Sequence, residues 1–216
     1  MGKISKRYAE SAKLVDKTKE YGAKVVSISG RDGYVYDPDG INTDEKIDFL
    51  LKIRSSNDVK LKDYAEKFGC EFHPGEKPWG LKVDMAFPCA TQNEIGEEEA
   101  KQLIANGCKY IIEGANMPST PEAIAYFTAN GGTLGPAKAA NAGGVSVSGL
   151  EMTQNSIKLS WSAEEVDEKL KSIMKNIHEA CVQYGTEADG YVNYVKGANV
   201  AGFMKVAKAM MAQGIV

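Results

Sequence analysis

Four short segments combine small, polar and glycine residues in the way that a nucleotide-binding crevice requires. Each directly follows an apolar run that predicts a β-strand. A crevice lined by backbone needs such residues, because the chain must come close to the ligand. Loops after strands are often polar and rich in glycine, so the pattern alone does not name a ligand. The segments are SGRDG (29–33), CATQNEI (89–95), ANMPST (115–120) and PAKAANAGGVSVSG (136–149).

Asn141 and Ser148 lie in the last of these segments, at the start of a predicted helix. Asn141 suits the N-cap position, and the first turn of the helix then offers free backbone N–H groups to an anion or an amide. Two plainer interpretations stay open: Asn141 is only a cap, and Ser148 bonds its own helix backbone.

The elements that must position these segments alternate between strand and helix. Short strands are predicted at 23–29, 83–88, 109–114 and within GGTLGP, and GRDG with YDPDG predicts a short hairpin. Between them, helices are predicted at 5–21 with a stop at Gly22, from Asn42 or Thr43 to Ser55, at LKDYAEKFG, from near Glu97 to Gly107, and from Pro121. Helices at 142–160, 163–184 and about 198–213 follow, and Ser162 with Glu165 forms a capping box.

This order predicts an α/β fold: a doubly wound, Rossmann-like parallel sheet with a C-terminal helical tail. The strand at 23–29 is apolar and β-branched, which favours a buried parallel strand. No linker or repeat divides the chain, so residues 1–216 are predicted to form a single dinucleotide-binding-type domain, with about 142–216 as its helical extension. Ligands bind beyond the carboxyl ends of such strands, so the four segments should share one rim.

Composition excludes several classes of function. The net charge of −3 does not indicate binding to nucleic acid or to an anionic membrane, which require an excess of positive charge. No apolar run reaches the roughly 18–20 residues that cross a bilayer, and the N-terminus lacks a signal-peptide core, which predicts a cytoplasmic location. Four dispersed cysteines and two distant histidines predict reduced, mostly buried thiols and no metal site.

Longer stretches of the sequence resemble the C-terminal half of hexameric glutamate dehydrogenases. PCATQNEI (88–95), EGANMPST (113–120), KAANAGGVSVSGLEMTQNS (138–156) and VKGANVAGFMKVAKAMMAQG (195–214) carry the resemblance, together with GYVYDPDGI and KPWGLKVD. They occur in family order from about Gly22 to the end of the chain. The resemblance implies NAD(P)-dependent oxidative deamination of L-glutamate to 2-oxoglutarate and ammonium, with this part of the protein binding the dinucleotide.

The resemblance also implies roles for individual residues. Ala90, Thr91 and Gln92 would lie along the cofactor, and Asn116 would meet the nicotinamide ribose or carboxamide. The residues that would open the long helix beside the nicotinamide are Asn141, Gly143 and Gly144. On its first turns, Val145 and Ser148 would face the glutamate side chain, with the Ser148 hydroxyl donated to the distal carboxylate.

Coenzyme choice is predicted from the residues after the strand at 23–29. Gly30 stands where an acidic residue would bind the ribose hydroxyls of NAD, and Arg31 follows it. Arg54 and Lys60 add cations on the next helical stretch. A small residue among cations fits the 2′-phosphate of NADP, and EGANMP resembles the NADP-using members. We therefore expect NADP, with NAD as the alternative.

The sequence departs from the family near its start. Where the family has its glycine-rich fingerprint for the pyrophosphate, this sequence has KRYAES (6–11). The bulky side chains there would keep a phosphate away from the helix N-terminus. No run predicts the usual first strand, because MGKIS is short and polar. Each unpaired, buried backbone group would cost about 1–3 kcal/mol. We expect the N-terminal segment, a neighbouring chain or a rearranged sheet to compensate.

The acid–base lysines and aspartate of the family belong to an N-terminal domain, which no segment here resembles. No catalytic residue is therefore predicted, and Lys138 receives no such role. We expect the cofactor-binding part of a glutamate dehydrogenase, cut off before its substrate-binding half and inactive alone. L-Glutamate or 2-oxoglutarate would bind only with a substrate domain. Alternatives are a structural or assembly fragment that has lost dinucleotide binding, and a dehydrogenase for another amino acid.

Self-association is predicted from the last helix, which carries a run of apolar residues. The face that would meet a substrate domain should be partly apolar, and an exposed apolar patch favours association. The residues of this patch are Val200, Phe203, Met204, Val206, Met210 and Met211.

Overall fold

The computed structural model describes residues 14–15, 17–55 and 59–214. The chain divides into two compact units, Met1–Leu81 and Lys82–Val216. Residues 14–15 and 17–20 are helical, and the predicted stop at Gly22 is confirmed: its φ is +74°, and its N–H donates to the Lys19 carbonyl oxygen at 3.0 Å. The glycine-free segment 6–11 and the expected absence of a first strand concern residues outside the described part of the chain.

The first unit contains a three-stranded antiparallel sheet in the order β1-β2-β3. The strands are β1 (Ser27–Ser29), β2 (Gly33–Tyr36) and β3 (Glu71–Pro74). Helices α1 (Asp44–Ser55) and α2 (Leu61–Phe68) lie between β2 and β3, and a 3-10 turn follows at Pro78–Gly80. The core of this unit contains the fully buried residues Val35, Ile41, Leu50, Leu61 and Tyr64.

The prediction of a parallel strand at 23–29 is wrong in direction. Ser27–Ser29 pairs antiparallel with β2, with Ser27 opposite Tyr36 and Ser29 opposite Tyr34. The hairpin prediction is confirmed, since the Gly30 N–H donates to the Gly33 carbonyl oxygen at 2.7 Å and closes the turn. An apolar run shows that a strand is buried, whereas its direction depends on the partner, which here is the next segment of the chain.

The second unit confirms the predicted fold class, with a parallel sheet and a helical C-terminal part. Its sheet has the order β4-β5-β6, formed by β4 (Met85–Ala86), β5 (Tyr110–Ile112) and β6 (Thr133–Gly135). Ile111 and Leu134 are buried in it, as are Leu103 and Phe127 of the adjacent helices. The helices are α3 (Glu97–Ala105), α4 (Pro121–Ala129), α5 (Ala137–Ala140), α6 (Ala142–Ile157), α7 (Ala163–Gly185) and α8 (Tyr194–Gln213).

Helices α7 and α8 pack closely against each other. The predicted capping box is confirmed, because the Ser162 hydroxyl accepts from Glu165 N–H at 3.2 Å and the Glu165 carboxylate accepts from Ser162 N–H at 2.7 Å. At the other end of α7, a Cβ on Gly197 would lie 2.1 Å from the Cys181 carbonyl oxygen. The close approach of the two backbones therefore requires glycine at this position. None of the described helices is both long and apolar enough to cross a membrane.

Candidate functional site

Three loops meet beyond the carboxyl ends of β4, β5 and β6. The loops after β4 and β5 are joined by backbone hydrogen bonds: Asn93 N–H donates to Met117 O and Ile95 N–H to Pro118 O, both at 3.0 Å. At the base of the same loops, Gly114 N–H donates to Pro88 O at 3.1 Å. A Cβ on Gly114 would lie 2.6 Å from the Cys89 sulfur, so the two loops are in close contact. This is the arrangement predicted from the strand order for the loops of this unit.

A buried carboxylate joins the loop after β5 to the loop after β6. Glu113 is only 3% exposed, and its two oxygens accept backbone N–H groups from Ser119 at 3.3 Å and Ala137 at 2.7 Å. Because a carboxylate is a strong acceptor, these bonds hold the two loops at a fixed separation. Glu113 was not among the residues predicted from the sequence. An acidic residue directly at the end of a predicted strand could have identified it.

Asn116 and Asn141 are in direct contact at the rim. The Asn141 side-chain N–H₂ donates to Asn116 Oδ1 at 2.7 Å and to the Ala115 carbonyl oxygen at 3.3 Å. Asn141 stands at the N-cap position of α6, with its backbone at φ −93°, ψ 5°, but its side chain makes no cap hydrogen bond. The amide instead bonds the neighbouring loop and joins two residues that the family resemblance assigns to one ligand.

The predicted cofactor-contacting residues in the loop after β4 are exposed or half-buried. Ala90 is half-buried, and its N–H donates to the Glu94 carboxylate at 2.9 Å, which closes the loop on itself. Thr91 and Gln92 are exposed. Their side chains are therefore accessible to solvent, and the predicted contacts with a cofactor stay predictions.

The start of α6 is open. Among the residues that the structure describes, none lies within 4 Å of a Cβ added at Gly144, and at Gly143 an added Cβ would meet Leu170 and Met174 at 3.9 Å. Packing within the chain therefore does not explain these glycines. Val145 is exposed. The Ser148 hydroxyl is also exposed and donates to the Gly144 carbonyl oxygen at 3.3 Å, which is the backbone bond of the plainer interpretation.

Gly30 and Arg31 belong to the first unit and lie in the β1–β2 hairpin turn. Arg31 is exposed, and the neighbouring Asp32 carbonyl oxygen accepts from Gly75 N–H at 2.9 Å. The expectation that these two residues follow a strand of a parallel sheet is corrected, because that strand is antiparallel. Their roles toward a coenzyme stay predictions.

None of the described cysteines is joined in a disulfide; Cys108 and Cys181 are buried, and Cys70 and Cys89 are half-buried. Burial raises the pKa of Cys70, Cys108 and Cys181, so these thiols are neutral near pH 7. Within the described ranges, no group of three or more His, Cys, Asp or Glu side chains is arranged to hold a metal ion.

The family model for glutamate/leucine/phenylalanine/valine dehydrogenases matches residues 11–214. The chain belongs to this dehydrogenase family. It is 68% identical over 202 residues to a glutamate dehydrogenase of Bacteroides thetaiotaomicron, with 94% of this chain and 45% of the relative covered. An NAD(P)-specific enzyme of Xylanibacter ruminicola is 58% identical and an NAD-specific enzyme of Bacteroides fragilis 59%, each with 93% of this chain and 45% of the relative covered.

The solved structures agree with the family assignment. A structure of glutamate dehydrogenase matches with a TM-score of 0.89 at 52% sequence identity, covering 95% of this chain and 46% of that one. The chain thus spans slightly less than half the length of the dehydrogenases that it matches.

Proposed function

We propose that the chain binds a nicotinamide dinucleotide at the edge formed by its three rim loops, as the cofactor-binding part of a glutamate dehydrogenase. The reaction of the whole protein would be the oxidative deamination of L-glutamate to 2-oxoglutarate and ammonium. The contact between the Asn116 and Asn141 amides is the observation that carries this proposal. It supports a preformed set of amide donors and acceptors beside the open start of α6.

The proposed ligand fits the chemistry of this edge. Amide groups can bond both a ribose hydroxyl and a carboxamide, and exposed Thr91 and Gln92 add further polar groups. On α6, Val145 and Ser148 would face the side chain of glutamate, with the Ser148 hydroxyl leaving the Gly144 carbonyl oxygen to donate to the distal carboxylate. The named coenzymes of the relatives support a nicotinamide dinucleotide.

A second candidate function is a structural or assembly role without dinucleotide binding. The observation that favours it is the absence of glycine from KRYAES (6–11), where the family places its pyrophosphate loop. Without glycine there, part of the energy of pyrophosphate binding would be lost.

Calorimetry on the purified chain separates these candidates. We expect micromolar binding of NADP and weaker binding of NAD. Absence of heat at millimolar concentrations of both coenzymes would favour the structural role.

Asn141→Ala should weaken binding by about tenfold to a hundredfold, because it removes the amide at the centre of the proposed site. Asn155→Ala on the exposed part of α6 is the matched control and should bind as the unchanged chain does.

The preference for NADP is measured in the same titrations. Arg31→Ala should weaken NADP binding by about tenfold to a hundredfold and leave NAD binding unchanged, because only NADP offers a 2′-phosphate to the guanidinium. Lys62→Ala removes another exposed cation of the same unit and should alter neither affinity. Equal losses for both coenzymes would argue against the assignment of Arg31.

We also propose that the chain self-associates through the apolar patch of α8. Phe203, Val206, Met210 and Met211 are each 59–72% exposed, and Val200 and Met204 are half-buried. Light scattering should show an oligomer whose mass falls when Phe203→Lys places a charge in the patch. Leu159→Lys, at an equally exposed apolar residue outside α8, should leave the mass unchanged. A strict monomer at high concentration would contradict this proposal.

A further inference from the structure

Met117 combines an unusual backbone with an exposed apolar side chain. Its φ is +48°, in the left-handed region that bulky side chains seldom occupy. The side chain is 62% exposed, at the edge where the loops after β4 and β5 meet. Packing within the chain therefore does little to offset the backbone strain at this position.

The neighbouring loop holds Met117 in this conformation. Its carbonyl oxygen accepts the N–H of Asn93, which itself has φ +53°, and the next carbonyl oxygen, of Pro118, accepts from Ile95. Pro118 is buried and fixes the chain on the other side. Strained residues of this kind persist where their surroundings determine the conformation, and they cluster at ligand sites.

The position of Met117 in the chain indicates which part of a bound ligand its side chain would contact. It directly follows Asn116, whose side-chain oxygen accepts from Asn141. Met117 thus adjoins, in the chain, the amide pair that the proposed function assigns to the nicotinamide end of the coenzyme. A methionine sulfur and its methyl group pack favourably against flat aromatic rings.

We propose that Met117 is a ligand-contacting residue whose side chain packs against the nicotinamide ring of the bound dinucleotide. This inference rests on the proposed function and deepens it, because it assigns one specific subsite to one residue. The strained backbone presents the side chain outward, where a ring held by Asn116 would meet it.

The test compares two ligands in calorimetric titrations: NADP, and 2′,5′-ADP, which lacks nicotinamide. Met117→Ala removes the thioether and should weaken NADP binding by about tenfold, with the affinity for 2′,5′-ADP unchanged. Met117→Leu keeps an apolar side chain of similar size and should retain most of the NADP affinity. Unchanged NADP binding by Met117→Ala, or an equal loss for both ligands, would overturn the proposal.

Thermal unfolding distinguishes a ligand contact from a structural role. Met117→Gly relieves the left-handed strain and should raise the midpoint temperature by about 2–4 °C while it weakens NADP binding. Lys158→Gly, at another left-handed residue that ends α6, should raise the midpoint similarly and leave binding unchanged. A fall in the midpoint for Met117→Gly would indicate a structural residue and overturn the proposal. If the unchanged chain binds neither ligand, the proposed function fails before any variant is compared.

Discussion

Replacing Asp37 with alanine is expected to lower the free energy of unfolding of the first unit by about 3–5 kcal/mol. Asp37 is only 3% exposed, and its carboxylate lies 2.7 Å from the Lys46 ammonium and accepts the Tyr64 hydroxyl at 3.1 Å. The Lys46 side chain is itself 14% exposed. Alanine would leave a poorly solvated ammonium without its carboxylate partner, still bonded to the Gly40 carbonyl oxygen at 2.9 Å, and would leave a buried hydroxyl unpaired.

Urea denaturation monitored by circular dichroism measures this loss. Asp44→Ala is the matched control, because the Asp44 carboxylate also lies 2.7 Å from a lysine but is exposed, and its removal should change stability little. Removing both charges, in Asp37→Ala with Lys46→Met, should recover part of the stability, since no uncompensated ammonium stays buried. Equal effects of Asp37→Ala and Asp44→Ala would show that burial of the pair is unimportant.

The cluster around Asp37 also fixes the protonation of Tyr64. Burial, reinforced by the adjacent Asp37 carboxylate, raises the pKa of Tyr64 well above its usual value. The phenol therefore stays neutral and donates a hydrogen bond to the Asp37 carboxylate throughout the neutral pH range. This side-chain cluster was not predictable from sequence, because Asp37, Lys46 and Tyr64 come from a turn and two helices whose packing is set by the tertiary fold.

The sequence predicted elements well where local signals decide them. Capping at Ser162 and Glu165, the stop at Gly22 and the Pro121 start of α4 all depend on residues within a few positions of each other. The parallel strands of the second unit were also predicted, although β4 covers only Met85–Ala86 of the six residues expected. The ends of a strand are harder to predict than its presence, because the hydrogen-bonded part of a strand extends only as far as the neighbouring strand does.

The direction of one strand, the presence of another and the start of the last helix were missed. The direction of β1 is set by β2, and β3 was not predicted because its four residues are partly exposed and end in Pro74. Helix α8 begins at Tyr194, four residues before the predicted start, where Asn193 accepts from Lys196 N–H. Gly197 weakened that helical signal, yet the contact with α7 requires it.

At the candidate site, sequence predicted which loops meet but not the bonds that join them. Asn141 has the residue type and position of a cap, so only the structure shows that its amide bonds Asn116 instead. Glu113 likewise acts across two loops that are separate in sequence. Such cross-loop bonds depend on the separation between neighbouring strands, which no local pattern records.

A polypeptide of these 216 residues is expected to show no glutamate-dependent reduction of NADP, even where it binds the coenzyme. Hydride transfer requires the amino acid to be held against the nicotinamide, and well-oriented placement alone is worth about 7–11 kcal/mol of the barrier. Placed acid–base groups add a further factor of about 10²–10⁴. The resemblance assigns those groups to a domain that these residues do not include, so the rate should lie at least about 10⁵-fold below that of a complete dehydrogenase.

The measurement follows the absorbance of reduced nicotinamide with saturating glutamate, and a complete glutamate dehydrogenase serves as the positive control. Substitution of Lys138, a residue of the rim, would make a positive result informative. Its ammonium is exposed and bonds the Asn199 side chain on α8, so it could move toward a bound amino acid. Turnover that Lys138→Ala abolishes and Lys175→Ala preserves would contradict the prediction and assign proton transfer to this chain. Coenzyme binding without turnover would indicate that the rim binds the dinucleotide and that another domain must bind the amino acid.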